Sequence, residues 1–324
     1  WGVDPEIISL TPGLKVTEMA RDGSPVRALF IMGENPIISD PDIAHAEAWF
    51  RGVEFLAVQD LFLTETARYA DVVLPGASFA EKSGTYVNTE RRIQLAHKAI
   101  EPPGQARADW EILVDLSNRL GLKTPFRSPS EVMEEVRRLA PAWTGVTYER
   151  LKGGGLQYPV PSDDHPGTSF LFDDQFPTAD GKATFHPAEY AAPSELPDET
   201  YPFVMNTGRQ LYHWHTGTMT RRSQGLDARE PTAVVEINPA DAAELGVEDG
   251  DPVRLTSRRN SILISVRVSD RVARKQVFVP FHFREAAANL LTSPVLEPHA
   301  KMAALKVCAV RIECLSHSSA SPRH

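Results

Sequence analysis

The chain has 324 residues, of which 42% are hydrophobic, enough for one large or two ordinary domains with buried cores. Its 34 basic and 43 acidic residues give a formal net charge of −9, which argues against a general nucleic-acid-binding protein, because phosphate backbones attract basic surfaces. The two cysteines, Cys308 and Cys314, are too few for a disulfide framework, a four-cysteine zinc site or an iron–sulfur cluster.

No run of apolar residues is long enough to span a bilayer, so the sequence predicts a soluble protein without a membrane segment. The low cysteine count fits a reducing compartment, and we expect the protein to be cytoplasmic. The chain begins at Trp1 instead of methionine, which we interpret as a processed end or as the first residue of a piece of a longer protein.

The first part of the chain alternates short apolar runs with helical patterns, which is typical of an α/β domain with a largely parallel sheet. Residues 26–33 and 53–60 predict strands, and residues 71–76 predict a third, buried strand. Residues 39–52 predict a helix capped by Ser39 or Asp40. Residues 63–70 predict a short helix, and residues 108–121 predict a longer helix that stops at Gly121.

The composition changes at residue 144 and again near residue 199. The region in between is rich in Gly, Pro and Asp and predicts a segment that connects two domains. Beyond it, five short runs alternate in the manner of β-strands around one short helix, Pro239 to Gly246, which favours a β-barrel. The predicted organisation is an α/β domain at 1–143, the connecting region at 144–198, the barrel domain at 199–314 and a disordered tail at 315–324.

Polar residues follow three of the predicted strands, at the end where ligands bind in open α/β sheets. They are Gly33, Glu34 and Asn35, then Gln59, Asp60 and Thr64, and finally Pro75 and Gly76. Glycine lets a ligand approach the backbone, and the acidic and amide side chains can accept hydrogen bonds from ring or ribose donors. Helix capping by Asn35 and Asp60 explains each of them about equally well. Three such strand ends together favour a binding site.

Residues 207–222, TGRQLYHWHTGTMTRR, concentrate hydrogen-bond donors just after a predicted strand. If this segment is extended from Tyr212 to Thr216, His213 and His215 lie on one face and could bind a metal, but no third ligand is evident. Arg209 with its neighbouring hydroxyl groups suits phosphate oxygens or a purine-like edge better. A structural role in shaping a barrel loop is the second alternative. Asn289 could read a heterocycle edge or cap a turn.

Eight stretches, taken in chain order from about Val26 to Glu313, resemble the C-terminal half of molybdopterin-dependent oxidoreductases, and most strongly the catalytic (alpha) subunit of formate dehydrogenases. They are MGENP, VQDLFLTETARYADVVLPG, GTYVNTERRIQ, ADWEIL, NTGRQLYHWHTGTMTRRS, INPADAAELGVEDGDPVRLTSRR, VFVPFHFREAAANLLT and KVCAVRIE. The resemblance implies a partial parallel-sheet, Rossmann-like cofactor domain followed by a C-terminal double-psi β-barrel. It also implies a bis-molybdopterin guanine dinucleotide cofactor with molybdenum or tungsten.

The resemblance assigns cofactor contacts to two sets of residues. Gly33, Glu34, Asn35, Gln59, Asp60, Thr64 and Asp109 would line one guanine dinucleotide. Gly208, Arg209, His213, His215, Thr216, Asn289 and Lys306 would hold pterin and phosphate groups from the barrel side. The family's metal-ligating cysteine or selenocysteine, its substrate residues and its iron–sulfur cysteines belong to the preceding half, so the resemblance implies no catalytic residue and no metal ligand in this sequence.

The implied function is the cofactor-binding portion of an enzyme that oxidises formate to carbon dioxide and passes on two electrons. The implied partners are the N-terminal remainder of the same subunit, which would carry an iron–sulfur cluster, and electron-transfer subunits with iron–sulfur or flavin groups. A portion of another molybdopterin enzyme, such as an assimilatory nitrate reductase, and a noncatalytic molybdopterin-binding module are the alternatives.

Overall fold

The computed structural model describes residues 4, 6, 19, 23–297 and 301–315, so Trp1 and residues 316–324 of the predicted tail lie outside the described residues. By the contacts of the described residues, residues 4, 6 and 74–189 form a first compact unit, and residues 19, 23–73, 190–297 and 301–315 form a second. These bounds differ from those of the predicted domains, which stay a prediction. No helix in the described part of the chain is long and apolar enough to cross a membrane.

A parallel sheet opens the second unit. Strand β1 (Ala28–Met32) is followed by two helices, α1 (Pro36–Ser39) and α2 (Ile43–Phe50), and then by β2 (Phe55–Asp60), which pairs with β1 in parallel. Strand β3 (Val72–Pro75), which begins in this unit, follows β2 in the order β1-β2-β3. The helices bury one face of the sheet. Leu29 and Ile31 of β1 and Leu56 and Val58 of β2 point to this face, because alternate residues of a strand lie on the same side. The parallel sheet predicted for the first part of the chain is confirmed.

Two local predictions are wrong. Asp40 precedes Pro41, which disfavours helical backbone, and Asp40 is extended with ψ 149°. Helix α2 therefore starts only after Asp42, at φ 52°, and neither Ser39 nor Asp40 caps it. Strand β3 is not buried, since Val72 and Val73 are each 39% exposed. It lies at the edge of the described sheet, and an apolar composition does not reveal whether another layer covers a strand.

The first unit contains a second, antiparallel sheet. Strands β4 (Gly84–Val87) and β5 (Arg92–Ala96) form a hairpin, and β6 (Leu156–Gln157) pairs with β5. Helices α3 (Asp109–Arg119), α4 (Pro129–Leu139) and α5 (Tyr148–Leu151) belong to the same unit. Gly121, at φ 91°, follows the end of α3 as predicted. The core of this unit includes Val146, Leu151 and Val160, so the start of the predicted connecting region is packed structure.

The remainder of the second unit is a closed six-stranded barrel. Its strands are β7 (Phe203–Gly208), β8 (Val234–Ile237), β9 (Pro252–Ser257), β10 (Ser261–Val268), β11 (Gln276–Pro280) and β12 (Cys308–Cys314), with α6 (Gln224–Asp227) and α7 (Pro239–Leu245) inserted. The order around the barrel is β10-β8-β11-β7-β12-β9. Pairs β7–β11 and β8–β10 are parallel and the others antiparallel. The predicted barrel and its inserted helix are confirmed.

Local sequence signals explain the barrel's regular parts. The Asn238 side chain accepts a hydrogen bond from the Ala240 N–H at 3.0 Å, and Gly246 ends α7 in the left-handed conformation at φ 68°. Inward-facing residues such as Met205 and Leu255 are fully buried. Cys308 is buried as well, and burial raises the pKa of its thiol to about 12, so it is an inert core residue.

Candidate functional site

The ends of β1 and β2 meet through a hydrogen-bonded network. Gly33, at φ 66°, donates its N–H to the Gln59 carbonyl oxygen at 2.9 Å. The Asn35 Oδ1 accepts from the Thr66 N–H at 3.1 Å and from the Thr66 hydroxyl at 2.8 Å, while its Nδ2 donates to Glu65 at 2.8 Å. Asn35 makes no side-chain cap bond, so it joins the two strand ends instead of capping α1.

The other predicted residues of this edge differ in exposure. Glu34 is exposed, whereas Gln59 and Thr64 are buried. The Thr64 hydroxyl accepts from the Ala67 N–H at 3.2 Å and so starts the 3-10 turn Thr66–Tyr69, where the sequence predicted a short helix. The Asp60 carboxylate accepts from the N–H of the next residue, Leu61, at 2.6 Å, and caps no helix.

Asp109 belongs to the first unit. It is the first residue of α3, and the Lys82 ammonium donates to its carboxylate. All other predicted cofactor residues belong to the second unit. Asp109 therefore lies in a different unit from the rest of the candidate site, and its predicted cofactor contact stays a prediction.

The segment from Tyr212 to Thr216 is not extended, so the condition under which His213 and His215 would lie on one face is not met. The chain turns repeatedly after β7, with His215 at φ 45° and Gly217 at φ 73°. His213 is buried, and its Nε2 donates to the Glu230 carbonyl oxygen at 2.8 Å. His215 is exposed. In the described part of the chain, no group of three or more His, Cys, Asp or Glu side chains could hold a metal ion.

His282 holds this segment in its folded path. Its Nε2 accepts from the Gln210 N–H at 2.8 Å, and its Nδ1 donates to the His215 carbonyl oxygen. A neutral imidazole satisfies both bonds, since one nitrogen accepts and the other donates. Burial lowers the pKa of His282 to about 4, which keeps the ring neutral near pH 7. The sequence showed His282 only as the end of a strand.

Acid should weaken the stabilisation that these two hydrogen bonds of His282 provide. The pKa of His282 is about 4 in the folded chain and 6.5 for an ordinary imidazole, so the unfolded chain binds the proton first as the pH falls. As the pH falls from 6.5 to about 4, we expect protonation of His282 in the unfolded chain to lower the free energy of unfolding by at most about 1.4 kcal/mol per pH unit. Above pH 6.5 this residue should cause no pH dependence. Urea unfolding of the wild type and of His282→Asn measures the effect. The stability advantage of the wild type should shrink below pH 6.5, and a constant difference would contradict the assignment.

Two cavities flank residues 207–222. Cavity A measures about 520 Å³, and its polar lining includes Arg209, Gln210, Tyr212, Glu236, Arg267 and Arg271. The Gln210 Oε1 is buried without a hydrogen-bond partner in the described part of the chain. A Cβ on the predicted residue Gly208 would lie 2.5 Å from the ring of Phe278, which lines this cavity. An unused acceptor among guanidinium donors suits a polar ligand that carries both N–H groups and anionic oxygens.

Cavity B measures about 380 Å³, and its polar lining includes Glu65, Thr216, Thr218, Arg221, Arg222 and Arg284. Arg221 pairs with Glu285 at 2.8 Å, and Arg284 pairs with Glu47 at 2.6 Å. Arg222 instead contacts neutral groups: its guanidinium lies 4.7 Å from the Phe62 ring centroid and donates to the Thr218 carbonyl oxygen at 2.5 Å. Its charge thus makes the cavity attractive to an anion.

The donor-rich segment therefore contributes to both cavities. Arg209 and Gln210 face cavity A, whereas Thr216 and Arg222 face cavity B. Such a pair of polar cavities on one segment suits a large anionic ligand. The predicted residues did not include Arg222 or the cavity B residues from other parts of the chain, although the arginine pair at 221–222 was visible in the sequence.

Comparison with known proteins identifies the family. Residues 203–309 match the model "Molydopterin dinucleotide binding domain", and residues 4–119 match the model "Molybdopterin oxidoreductase". The chain belongs to the molybdopterin oxidoreductase family. The predicted resemblance is thereby confirmed. The polar side chains of the two cavities can therefore be compared with the groups of a molybdopterin cofactor.

Two relatives and one solved structure show how this molybdopterin oxidoreductase chain compares in length and fold. It is 46% identical, over 97% of its length, to the F420-dependent formate dehydrogenase subunit alpha of Methanocaldococcus jannaschii. It is 36% identical, over 96%, to the assimilatory nitrate reductase catalytic subunit of Bacillus subtilis. It spans 46% of each of these proteins. Acetylene hydratase from Pelobacter acetylenicus shares the fold, with a TM-score of 0.74 at 17% identity over 92% of this chain and 46% of that one.

The residues present fit a molybdopterin dinucleotide. The buried, unpartnered Gln210 Oε1 can accept an N–H of a heterocycle, and the guanidinium groups of Arg209 and Arg222 can bind phosphate oxygens. The hydroxyl of Thr216 adds a further donor in cavity B. These groups lie on one segment that the barrel and His282 hold in place.

Two of the predicted cofactor residues of this molybdopterin oxidoreductase donate hydrogen bonds to backbone carbonyl oxygens of the chain itself. Asn289 is buried, and its Nδ2 donates to the carbonyl oxygens of Ile38 at 2.8 Å and Ser39 at 3.1 Å. The Lys306 ammonium donates to the Thr207 carbonyl oxygen at 2.5 Å. Asn289 thus joins the barrel domain to the helix after β1, and Lys306 supports the end of β7. Their contacts with a cofactor stay predictions.

Proposed function

We propose that the chain is the C-terminal cofactor-binding portion of a formate dehydrogenase catalytic subunit. It would hold a bis-molybdopterin guanine dinucleotide with molybdenum or tungsten for the two-electron oxidation of formate to carbon dioxide. The observation that carries the proposal is the segment 207–222, whose polar side chains line both cavities. A second relative supports the substrate class: the F420-dependent formate dehydrogenase 1 subunit alpha of Methanococcus maripaludis is 43% identical over 96% of the chain.

When bound, the cofactor supplies the metal centre and the route for two electrons. The chain's own residues bind and orient it. In cavity A, Arg209 neutralises an anionic group and Gln210 accepts a hydrogen bond from a heterocycle N–H. In cavity B, Arg222 and Thr216 donate to phosphate oxygens. At the strand ends, the backbone of Gly33 and the carboxylates of Glu34 and Asp60 offer contacts for ring or ribose groups.

The proposal extends to the rest of the enzyme. The two parallel strand pairs of the barrel, β7–β11 and β8–β10, support a double-psi topology. The remainder of the subunit would carry the metal ligand, the substrate residues and an iron–sulfur cluster. Electron-transfer subunits with iron–sulfur or flavin groups would take the electrons, and the enzyme would be cytoplasmic. The predicted domain bounds and the contact of Asp109 with one dinucleotide belong to the same proposal.

The second candidate is a portion of an assimilatory nitrate reductase. The observation that favours it is the Bacillus subtilis relative, which the chain matches over nearly the same length as the formate dehydrogenases. Residues that hold a shared cofactor do not discriminate between two substrates, because the substrate contacts a different part of the protein.

The complete subunit that contains this chain separates the candidates. We expect acid treatment to release guanine nucleotide in a ratio of about two per polypeptide, and formate to reduce a viologen dye, because electrons from formate must leave the bound cofactor. Nitrate-dependent reoxidation of reduced dye without formate activity would favour the second candidate. Bound guanine nucleotide with neither activity would indicate a noncatalytic module, and absence of guanine nucleotide would overturn the proposal.

A further inference from the structure

A buried carboxylate without a partner lines cavity A. Glu236 lies in β8, and only 7% of the residue is exposed. Within the described part of the chain, no hydrogen bond or ion pair engages its side chain. Glu230 in the same cavity wall differs, because its carboxylate accepts from Arg267 at 3.1 Å. Burial of an unpaired carboxylate is costly, so we expect a ligand to supply the missing donors.

The barrel strands place Glu236 between two other residues that line cavity A. In the register of the strands, Arg267 of β10 and Phe278 of β11 lie beside it. All three point away from the barrel core, because the residues that alternate with them, such as Val235 and Val277, belong to the core cluster. Neighbouring strands lie about 5 Å apart, so the carboxylate is held at a fixed place next to the partly exposed Phe278 ring.

One type of heterocycle edge matches this carboxylate. Its two oxygens only accept hydrogen bonds, so a complementary ligand presents two N–H groups side by side. A 2-amino-4-oxopyrimidine ring does so through its ring N–H and its amino group, whereas adenine and cytosine carry a ring acceptor next to their amino group. The ring is also flat and can stack on Phe278, and its oxo group can accept from the Arg209 or Arg271 guanidinium.

We propose that Glu236 selects the 2-amino-4-oxopyrimidine edge of the cofactor by accepting both of its N–H groups. This rests on the proposed function in that cavity A holds a heterocycle of the molybdopterin dinucleotide. Two parts of that cofactor carry this edge, the pterin and the guanine base. Gln210 lies in the same cavity, and its buried Oε1, which has no partner among the described residues, offers an acceptor for the remaining amino hydrogen.

Two pairs of small probes differ at the amino group that this contact requires. IMP is GMP without the amino group, and lumazine is pterin with an oxo group in its place. Binding of each probe is measured by calorimetry on the complete subunit prepared without cofactor. We expect the wild type to bind the amino-bearing member of at least one pair about 10- to 100-fold more tightly, the range for a hydrogen bond to a charged group. A preference for GMP assigns the guanine base to Glu236, and a preference for pterin assigns the pterin.

A substitution and its matched control show whether Glu236 causes the preference. Glu236→Gln should abolish it, because the carboxamide turns one donor towards an edge that itself donates. Glu248→Gln should keep it, since Glu248 is exposed and lines neither cavity. Three results would overturn the proposal: equal binding of both members of each pair by the wild type, binding of none of the probes, and a preference that survives Glu236→Gln.

Guanine nucleotide released by acid from the wild-type holoenzyme separates this inference from the proposed function. Bound guanine nucleotide, together with no preference between the members of either probe pair, refutes the role of Glu236 alone. A preference for pterin that depends on Glu236, in a subunit that releases no guanine nucleotide, refutes the proposed function alone.

Discussion

Replacement of Arg209 by glutamine is expected to weaken cofactor binding by the complete subunit about 10- to 100-fold, which is the range for loss of a charge-assisted hydrogen bond. The substitution removes the guanidinium that faces cavity A and keeps a polar side chain. Arg222→Gln should have an effect of the same order in cavity B. The measurement is guanine nucleotide per polypeptide after gel filtration, with dye reduction by formate as a second readout.

Arg254→Gln is the matched control for both variants. Arg254 is an exposed residue of β9 and lines neither cavity, so the same change of charge should leave the cofactor content unchanged. If Arg209→Gln and Arg222→Gln both retain the cofactor content and turnover of the wild type, the two cavities do not hold the cofactor. If all three variants lose cofactor equally, the effect comes from net charge, and the assignment of the cavities fails.

Replacement of Glu195 by glutamine is expected to lower the free energy of unfolding by about 1.5–3 kcal/mol, the range for hydrogen bonds to charged groups, because its ion pair with Arg259 is partly buried. The Glu195 carboxylate accepts from Arg259 at 2.6 and 3.0 Å and from the Ala309 N–H at 2.7 Å. The side chains of Glu195 and Arg259 are only 10% and 16% exposed. Glutamine keeps the shape of the side chain but leaves the guanidinium without its counter-charge.

The pH dependence has a definite sign. Burial raises the pKa of Glu195, but the hydrogen bonds from Arg259 and from the Ala309 N–H outweigh burial, so the pKa is lowered. The stabilisation is therefore present above the ordinary pKa of a glutamate and is lost as the pH falls through the lowered one. Glu313→Gln is the control, because its pair with Arg311 at 3.4 Å is about 40% exposed and contributes at most about 1 kcal/mol. Equal losses in chemical denaturation of the two variants would contradict the buried role of Glu195.

Local patterns predicted the elements well because their causes are local. Asn238, Pro239 and Gly246 cap, start and end α7 within one short stretch of sequence. The barrel strands follow from alternation of apolar and polar residues. Glu195, in contrast, contacts residues 64 and 114 positions further along the chain. The composition of the region 144–198 predicted a segment that connects two domains. It could not show that Glu195, near the end of this region, forms hydrogen bonds with two residues of the barrel.

In the candidate site, too, the local sequence predicted some features, whereas others depend on contacts between residues distant in sequence. The sequence of residues 207–222 showed that donors are concentrated there. Arg209 and Thr216 line cavities in the structure, and their contacts with a cofactor stay predictions. The sequence could not show whether Tyr212 to Thr216 is extended, because His282, 67 residues after His215, holds this loop in turns. Cavity B also combines Glu65 and Arg284 with this segment, and residues so distant in sequence come together only in the fold.

The structure of the complete subunit isolated with its cofactor tests the central claim most directly. We expect phosphate oxygens within about 3.2 Å of the Arg209 or Arg222 guanidinium nitrogens, the ordinary hydrogen-bond limit. We also expect a heterocycle N–H to donate to the Gln210 Oε1, which has no partner in the described part of this chain. A dinucleotide bound entirely by other residues, with only water in cavities A and B, would contradict the account.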